Sequence, residues 1–115
     1  MSTTVPTIGR LVHYTLSEAD AEQINRRRDD AERWRLAQRK RTLDGEAAEV
    51  TGSQKHIGNR AEAGQVYPML IVRTWGSTPE SVVNGQVFLD GNDSLWVTSV
   101  GQGEGERRFV FPARG

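Results

Sequence analysis

The chain has 115 residues, room for one domain and one modest core. Its 15 basic and 15 acidic residues cancel, so no global field draws it to nucleic acid or to an anionic membrane. With no cysteine, disulfides, thiolate catalysis and cysteine-ligated zinc are excluded.

The first six residues, Met1 to Pro6, carry neither a charged nor an apolar stretch of the kind that marks a secretion signal. The longest all-apolar run, Met69 to Val72, falls far short of the ~20 residues of a membrane span. The expectation is one soluble, cytoplasmic domain over residues 1–115, made without a membrane partner.

Residues 7–14, TIGRLVHY, are rich in β-branched and aromatic side chains between Pro6 and Ser17 and predict a short strand. A helix start follows. Ser17 and Asp20 form the Ser-x-x-acid pattern whose side chains satisfy the first backbone N–H groups, and Leu16 can pack on Ala21 as a hydrophobic staple. From Glu18 to about Arg41 there is no Gly or Pro, acids come early and bases late, and Asp44-Gly45 supplies a stop. The spacing predicts an inserted helix over 17–42. Its apolar stripe is thin: Ala21, Ile24, Ala31 and Trp34. About 24 residues span roughly 36 Å, longer than a small barrel is wide, so part of the helix should project or lie on another chain.

Residues 45–64 are small and polar and predict a mobile loop. The strand-rich part covers 65–115. Residues 66–75 form one strand, with Pro68 suggesting an edge or bulge near its start. Residues 82–90 and 94–100 make a hairpin about the turn Asp90-Gly91-Asn92-Asp93. After the glycine-rich loop 101–106, residues 107–112 are the last strand. The fold expected is α+β: a small five-stranded antiparallel barrel, SH3-like or OB-like, with the helix and loop inserted between strands one and two.

The segments IGRLVHY, SEADAEQINRRR, VYPMLIVRTWG, VVNGQVFLDGNDSLWVTSV and RRFVFPAR resemble a family of small uncharacterised proteins of actinobacterial phages and prophages. That family has a G-R-x-V-H-Y opening strand, a V-N-x-Q-V-x-L-D-G-N-D hairpin and a closing aromatic-x-aromatic-Pro. Where relatives carry Trp-x-Trp-Pro, this chain has Phe109-Val110-Phe111-Pro112. The resemblance implies a phage accessory protein of small β fold in the infected host cell, with virion, replication and counter-defence roles all open, and transfers no catalytic residue.

Little in the sequence points to catalysis. His13 and His56 are the only histidines and neither has a second ligand at metal spacing, so no metal or cofactor is expected. Asp90-Gly91-Asn92-Asp93 lacks the sixth-position Gly and twelfth-position Glu of a calcium loop. Gly101-x-Gly103-x-Gly105 is followed by no helix to receive a phosphate. The expectation is no enzyme.

Three binding readings remain. The first is a module that forms a homo-oligomer, or docks a phage or host protein, through Ile24, Arg28, Ala31, Trp34 and Arg35. The second is capture of a small anionic ligand, such as a nucleotide signal, by Lys55, His56, Asn59 and Arg60. The third, disfavoured by neutral overall charge, is nucleic-acid binding by Arg39, Lys40 and Arg41. Trp75, Phe88, Trp96, Phe109 and Phe111 alternate along strands and are expected in the barrel core more than on a base-stacking face.

Overall fold

The fold is that of a computed structural model, described for residues 4–43 and 56–113 and, along the helix, for side chains as far as Lys40. The element order is β1 (Leu11–Thr15), α1 (Glu18–Leu43), β2 (Val66–Thr74), β3 (Val83–Phe88), β4 (Ser94–Gln102) and β5 (Arg108–Val110). The strands close into a barrel in the order β1-β2-β3-β4-β5, with β1 also pairing β5. This is the expected α+β barrel with the helix between strands one and two. The stop at Asp44-Gly45 and the loop as far as Lys55 lie outside the described residues.

One expectation of the sheet is corrected: the barrel is mixed. β4 and β5 run parallel, pairing Gly101 with Arg108 and Gln102 with Phe109. A parallel partner normally needs a long crossover. Here only two residue pairs are made, so the chain steps back a short way. Left-handed conformations at Gly105 and Arg107 (φ 109° and 59°) turn it tightly enough to do so.

The helix start folds as its sequence dictates. Ser17 N–H donates to Asp20 Oδ2 at 3.0 Å and Asp20 N–H to Ser17 Oγ at 3.1 Å, a reciprocal cap. Leu16 and Ala21 are both buried in the core, as the staple requires. Pro68 pairs with His13 on the β1 side and lies one residue outside the stretch paired with β3. The β2 irregularity comes later, between Ile71 and Arg73.

The interior is filled by Val12, Tyr14, Met69, Ile71, Val83, Val87, Leu95, Val97, Val100 and Phe109, with Leu16, Ala21, Ile24 and Ala61 joining from the helix side. It is tightly packed at Gly85, where a Cβ would lie 2.6 Å from Met69 Sδ. The radius of gyration, 17.8 Å, exceeds the ~13 Å of a compact chain this long. The extents, 61 × 27 × 24 Å, show why: α1 runs past the barrel.

Candidate functional site: the barrel's outer face and the helix base

Three features of the described surface combine unusual chemistry with a fixed geometry. The first is the base of α1. Arg28 falls on the same helix stripe as Ile24 and Ala31, four and three residues away, so its side chain is carried inward with them. There it meets Asp93 of the β3–β4 turn in a two-pronged pair, Nη1 to Oδ2 at 3.1 Å and Nη2 to Oδ1 at 2.9 Å. Two further donors reach the carbonyl oxygens of Asn59 (3.0 Å) and His56 (2.7 Å). Arg27 donates to the same Asp93 carboxylate and to the Ser94 carbonyl. The Asp93 side chain is 2% exposed. Burial alone pushes its carboxyl up, but hydrogen bonds and charge from Arg28 and Arg27 outweigh that and hold it below the ordinary value.

Residues 56–60 are strapped across this pair. Gly58 bridges Gly91, Asn59 N–H donates to the Asp90 carbonyl at 2.8 Å, and Asn92 N–H donates to the Ile57 carbonyl at 2.9 Å. Both glycines are needed for closeness: a Cβ at Gly58 would fall 2.4 Å from the Asp90 oxygen, and one at Gly91 2.5 Å from that of Ile57. Asn25 then clasps Ala61, accepting from its N–H (2.7 Å) and donating to its carbonyl (2.9 Å). Within the loop expected over 45–64, the described part is therefore a fastened strap.

The second feature is aromatic. Trp75, Phe88 and Trp96 are 54%, 44% and 60% exposed. The placement of all three in the core is corrected, while Phe109 is buried and Phe111 packs edge-on against it at 5.8 Å. The reason is parity. Val83, Gly85 and Val87 point inward on β3 and Leu95 and Val97 on β4, so residues 84, 86, 88 and 96 must point out. Trp96 stands opposite Gln86, and the Trp75 indole N–H donates to Asn84 Oδ1 at 3.2 Å. A ring thus sits at each of three successive outward positions of β3, at Asn84, at Gln86 and at Phe88 itself. Arg73 lies over the Trp75 ring at 3.9 Å.

The third feature is a groove of about 750 Å³ between the turn at Pro79–Glu80, the end of β4 and β5. Val82, Val110 and Phe111 give it an apolar lining, and Gln102, Arg108, Glu80 and Glu104 its polar groups. Gln102 donates to the carbonyls of Thr4 and Pro79, while its Oε1 is buried with no hydrogen-bond partner.

The residues expected to bind are redistributed. Ile24, Arg28 and Ala31, assigned to a partner interface, are buried within their own chain, because the barrel end and the strap cover that face. Trp34 is half-buried and shares a small pocket with Ile57 and Gly58, while Arg35 is exposed and pairs with Glu32. Of the anion set, Lys55 lies outside the described residues, Asn59 donates to Asp90, and Arg60 pairs with Asp29 at 2.6 Å. His56 Nδ1 stands 3.4 Å from Asp93 Oδ2. Of the described three, Asn59 and Arg60 are engaged within the chain, with Asp90 and Asp29. Arg39 and Lys40 are exposed on the projecting helix, and the Arg41 side chain lies outside the described residues.

Among the described residues no cluster of three or more His, Asp or Glu is placed to hold a metal, and no helix is long and apolar enough to cross a membrane. Comparison with family models, with curated proteins and with solved structures finds no match, so the likeness to phage proteins rests on the motifs alone.

Proposed function

We propose that the protein is a non-enzymatic binding module whose contact surface is the outer face of β2, β3 and β4. The observation that carries this is the exposure of Trp75, Phe88 and Trp96 on one face of a barrel whose core is full without them. Exposed large aromatics in one contiguous array mark interaction surfaces far more often than scattered apolar residues do. This moves the expected docking surface from the helix, whose inner stripe is spent on its own barrel, to the sheet.

The test is a photo-reactive phenylalanine analogue placed at Phe88, with the same analogue at the exposed Leu36 of α1 as control. Irradiation of producing cells is expected to give a discrete adduct from position 88 and none from 36. An unmodified chain at both positions overturns the reading.

A second reading has its own observation. The groove beside β5 is of small-ligand size, and the unpaired Gln102 Oε1 gives it a buried acceptor. In this reading it takes a small molecule bearing an N–H or O–H donor. A compound found by thermal shift should lose its effect in Gln102→Leu and keep it in Trp96→Ala; retention in Gln102→Leu speaks against the groove.

A further inference from the structure

We infer that the outer face of β2–β4 binds single-stranded nucleic acid, with bases stacked on Phe88, on Trp96 and on the Arg73 guanidinium that covers Trp75. This rests on the proposal that the face is the contact surface and adds what it contacts.

The spacing decides among ligands. Successive outward positions on a strand are about 6.7 Å apart, twice the 3.3–3.4 Å rise per residue. Asn84, Gln86 and Phe88 are successive outward positions, and each is marked by a ring. Bases in a duplex follow one another at about 3.4 Å along each strand. Trp75 follows β2 and Trp96 lies on β4, each about 4.8 Å to one side of β3, so the rings are set at least that far apart and accept neighbouring bases only if these are unstacked and splayed, which a single strand permits and a duplex does not. Between the rings stand Asn84, Gln86 and Ser94, side chains able to meet base edges without demanding one sequence.

Charge points the same way. Arg73 on Trp75, and Arg107, which donates to the Thr98 carbonyl two residues along from Trp96, supply cations on the flanks. Neither arginine has a carboxylate of the described residues within ion-pairing distance. At the Phe88 end Asp93 is paired with Arg27 and Arg28, and Asp90 keeps its charge beside neutral Asn59, which leaves Arg27, Arg28, Arg73 and Arg107 against Asp90 and Asp93. Neutral overall charge is therefore no obstacle, because the local balance on this face is positive.

The experiment is titration of the full chain with a thymidine 12-mer, followed by fluorescence anisotropy and quenching of tryptophan emission at several salt concentrations. The single strand is expected to bind and quench, its duplex with the adenine 12-mer to bind at least tenfold more weakly, and Trp96→Ala and Phe88→Ala each to weaken binding about five- to hundredfold with melting temperature unchanged. Arg73→Gln should shallow the log–log salt slope by about 0.7. Absence of binding at low salt, equal affinity for the duplex, or full affinity in both ring variants overturns the inference. If nucleic acid fails to bind while the analogue at Phe88 cross-links a protein, the face remains a contact surface and its ligand is a polypeptide.

Discussion

Arg28 and Asp93, 65 residues apart in sequence, meet through two parallel hydrogen bonds with both side chains almost wholly buried. Two charges taken out of water cost several kcal/mol, offset here by the paired charge and by hydrogen bonds from four of the five guanidinium donors. The pair is consequently brittle. Arg28→Ala, which leaves the buried Asp93 carboxylate with Arg27 as its remaining cationic partner, should lower unfolding free energy by about 1.5–3 kcal/mol. The apolar replacement Arg28→Met with Asp93→Leu should recover most of that loss. Urea unfolding of the two variants is the check, and a loss under about 1 kcal/mol in Arg28→Ala contradicts the account.

The same carboxylate sets an acid limit. Its pKa lies below the ordinary 3.8, so the native state favours the ionised form. The stability this contributes is complete above about pH 4 and is lost as pH falls through the depressed value. Melting temperature measured from pH 6 to pH 2 should therefore drop in the wild type. In Asp93→Asn it should begin lower and fall less steeply; parallel curves speak against the pair as the source.

Fastening of the strap depends on two bare backbones. Gly58→Ala and Gly91→Ala should each cost about 1–3 kcal/mol, since the atoms met by the added Cβ are main-chain and cannot swing away. The Asn59 and Asn92 amide protons should exchange faster in both variants, because they bond across the same contact. Gly64→Ala is the comparison: no atom lies within 4 Å of its Cβ, so it loses only by the strain of φ +89° and leaves those two protons protected.

The helix should prove energetically uneven. Ile24→Ala opens a void under the barrel end and should cost about 2–5 kcal/mol, whereas Leu36→Ala, three turns on and exposed, should change stability by under about 0.5 kcal/mol. Equal effects in thermal melts would show that the distal turns are packed after all.

How much of this was legible in the sequence follows from the range of each interaction. The cap at Ser17 and Asp20, the staple from Leu16 to Ala21 and the hairpin about Asp90–Asp93 are local, fixed within a few residues, and were read directly. Arg28 is expected, with Ile24 and Ala31, at an interface with another chain, because its acid within the chain, Asp93, is remote in sequence. Its place on the Ile24–Ala31 stripe was the available signal, since a cation on a buried stripe requires a buried acid. The outward rings were missed for another reason. β3 and β4 carry apolar residues on both parities, and only the inward set Val83, Val87, Leu95 and Val97, settled by register, leaves Phe88 and Trp96 outside. Size suggested the core; a bore already filled by Tyr14, Phe109 and the aliphatic side chains around them decided otherwise.

Closure of the barrel has a consequence for the order in which the chain assembles. β2, β3 and β4 join by short turns, so their ladders close loops of a dozen or so residues, whereas Leu11 must find Leu70 and Tyr14 must find Phe109 across most of the chain. Loop-closure entropy and contact order place the local meander in the folding transition state and the seam of β1 with β5 after it. Core truncations at Val87 or Leu95 should accordingly slow folding, and truncations at Val12 or Phe109 should chiefly accelerate unfolding. The three-stranded face bearing the rings is then the first surface the nascent protein completes, and β1 is the bolt drawn last.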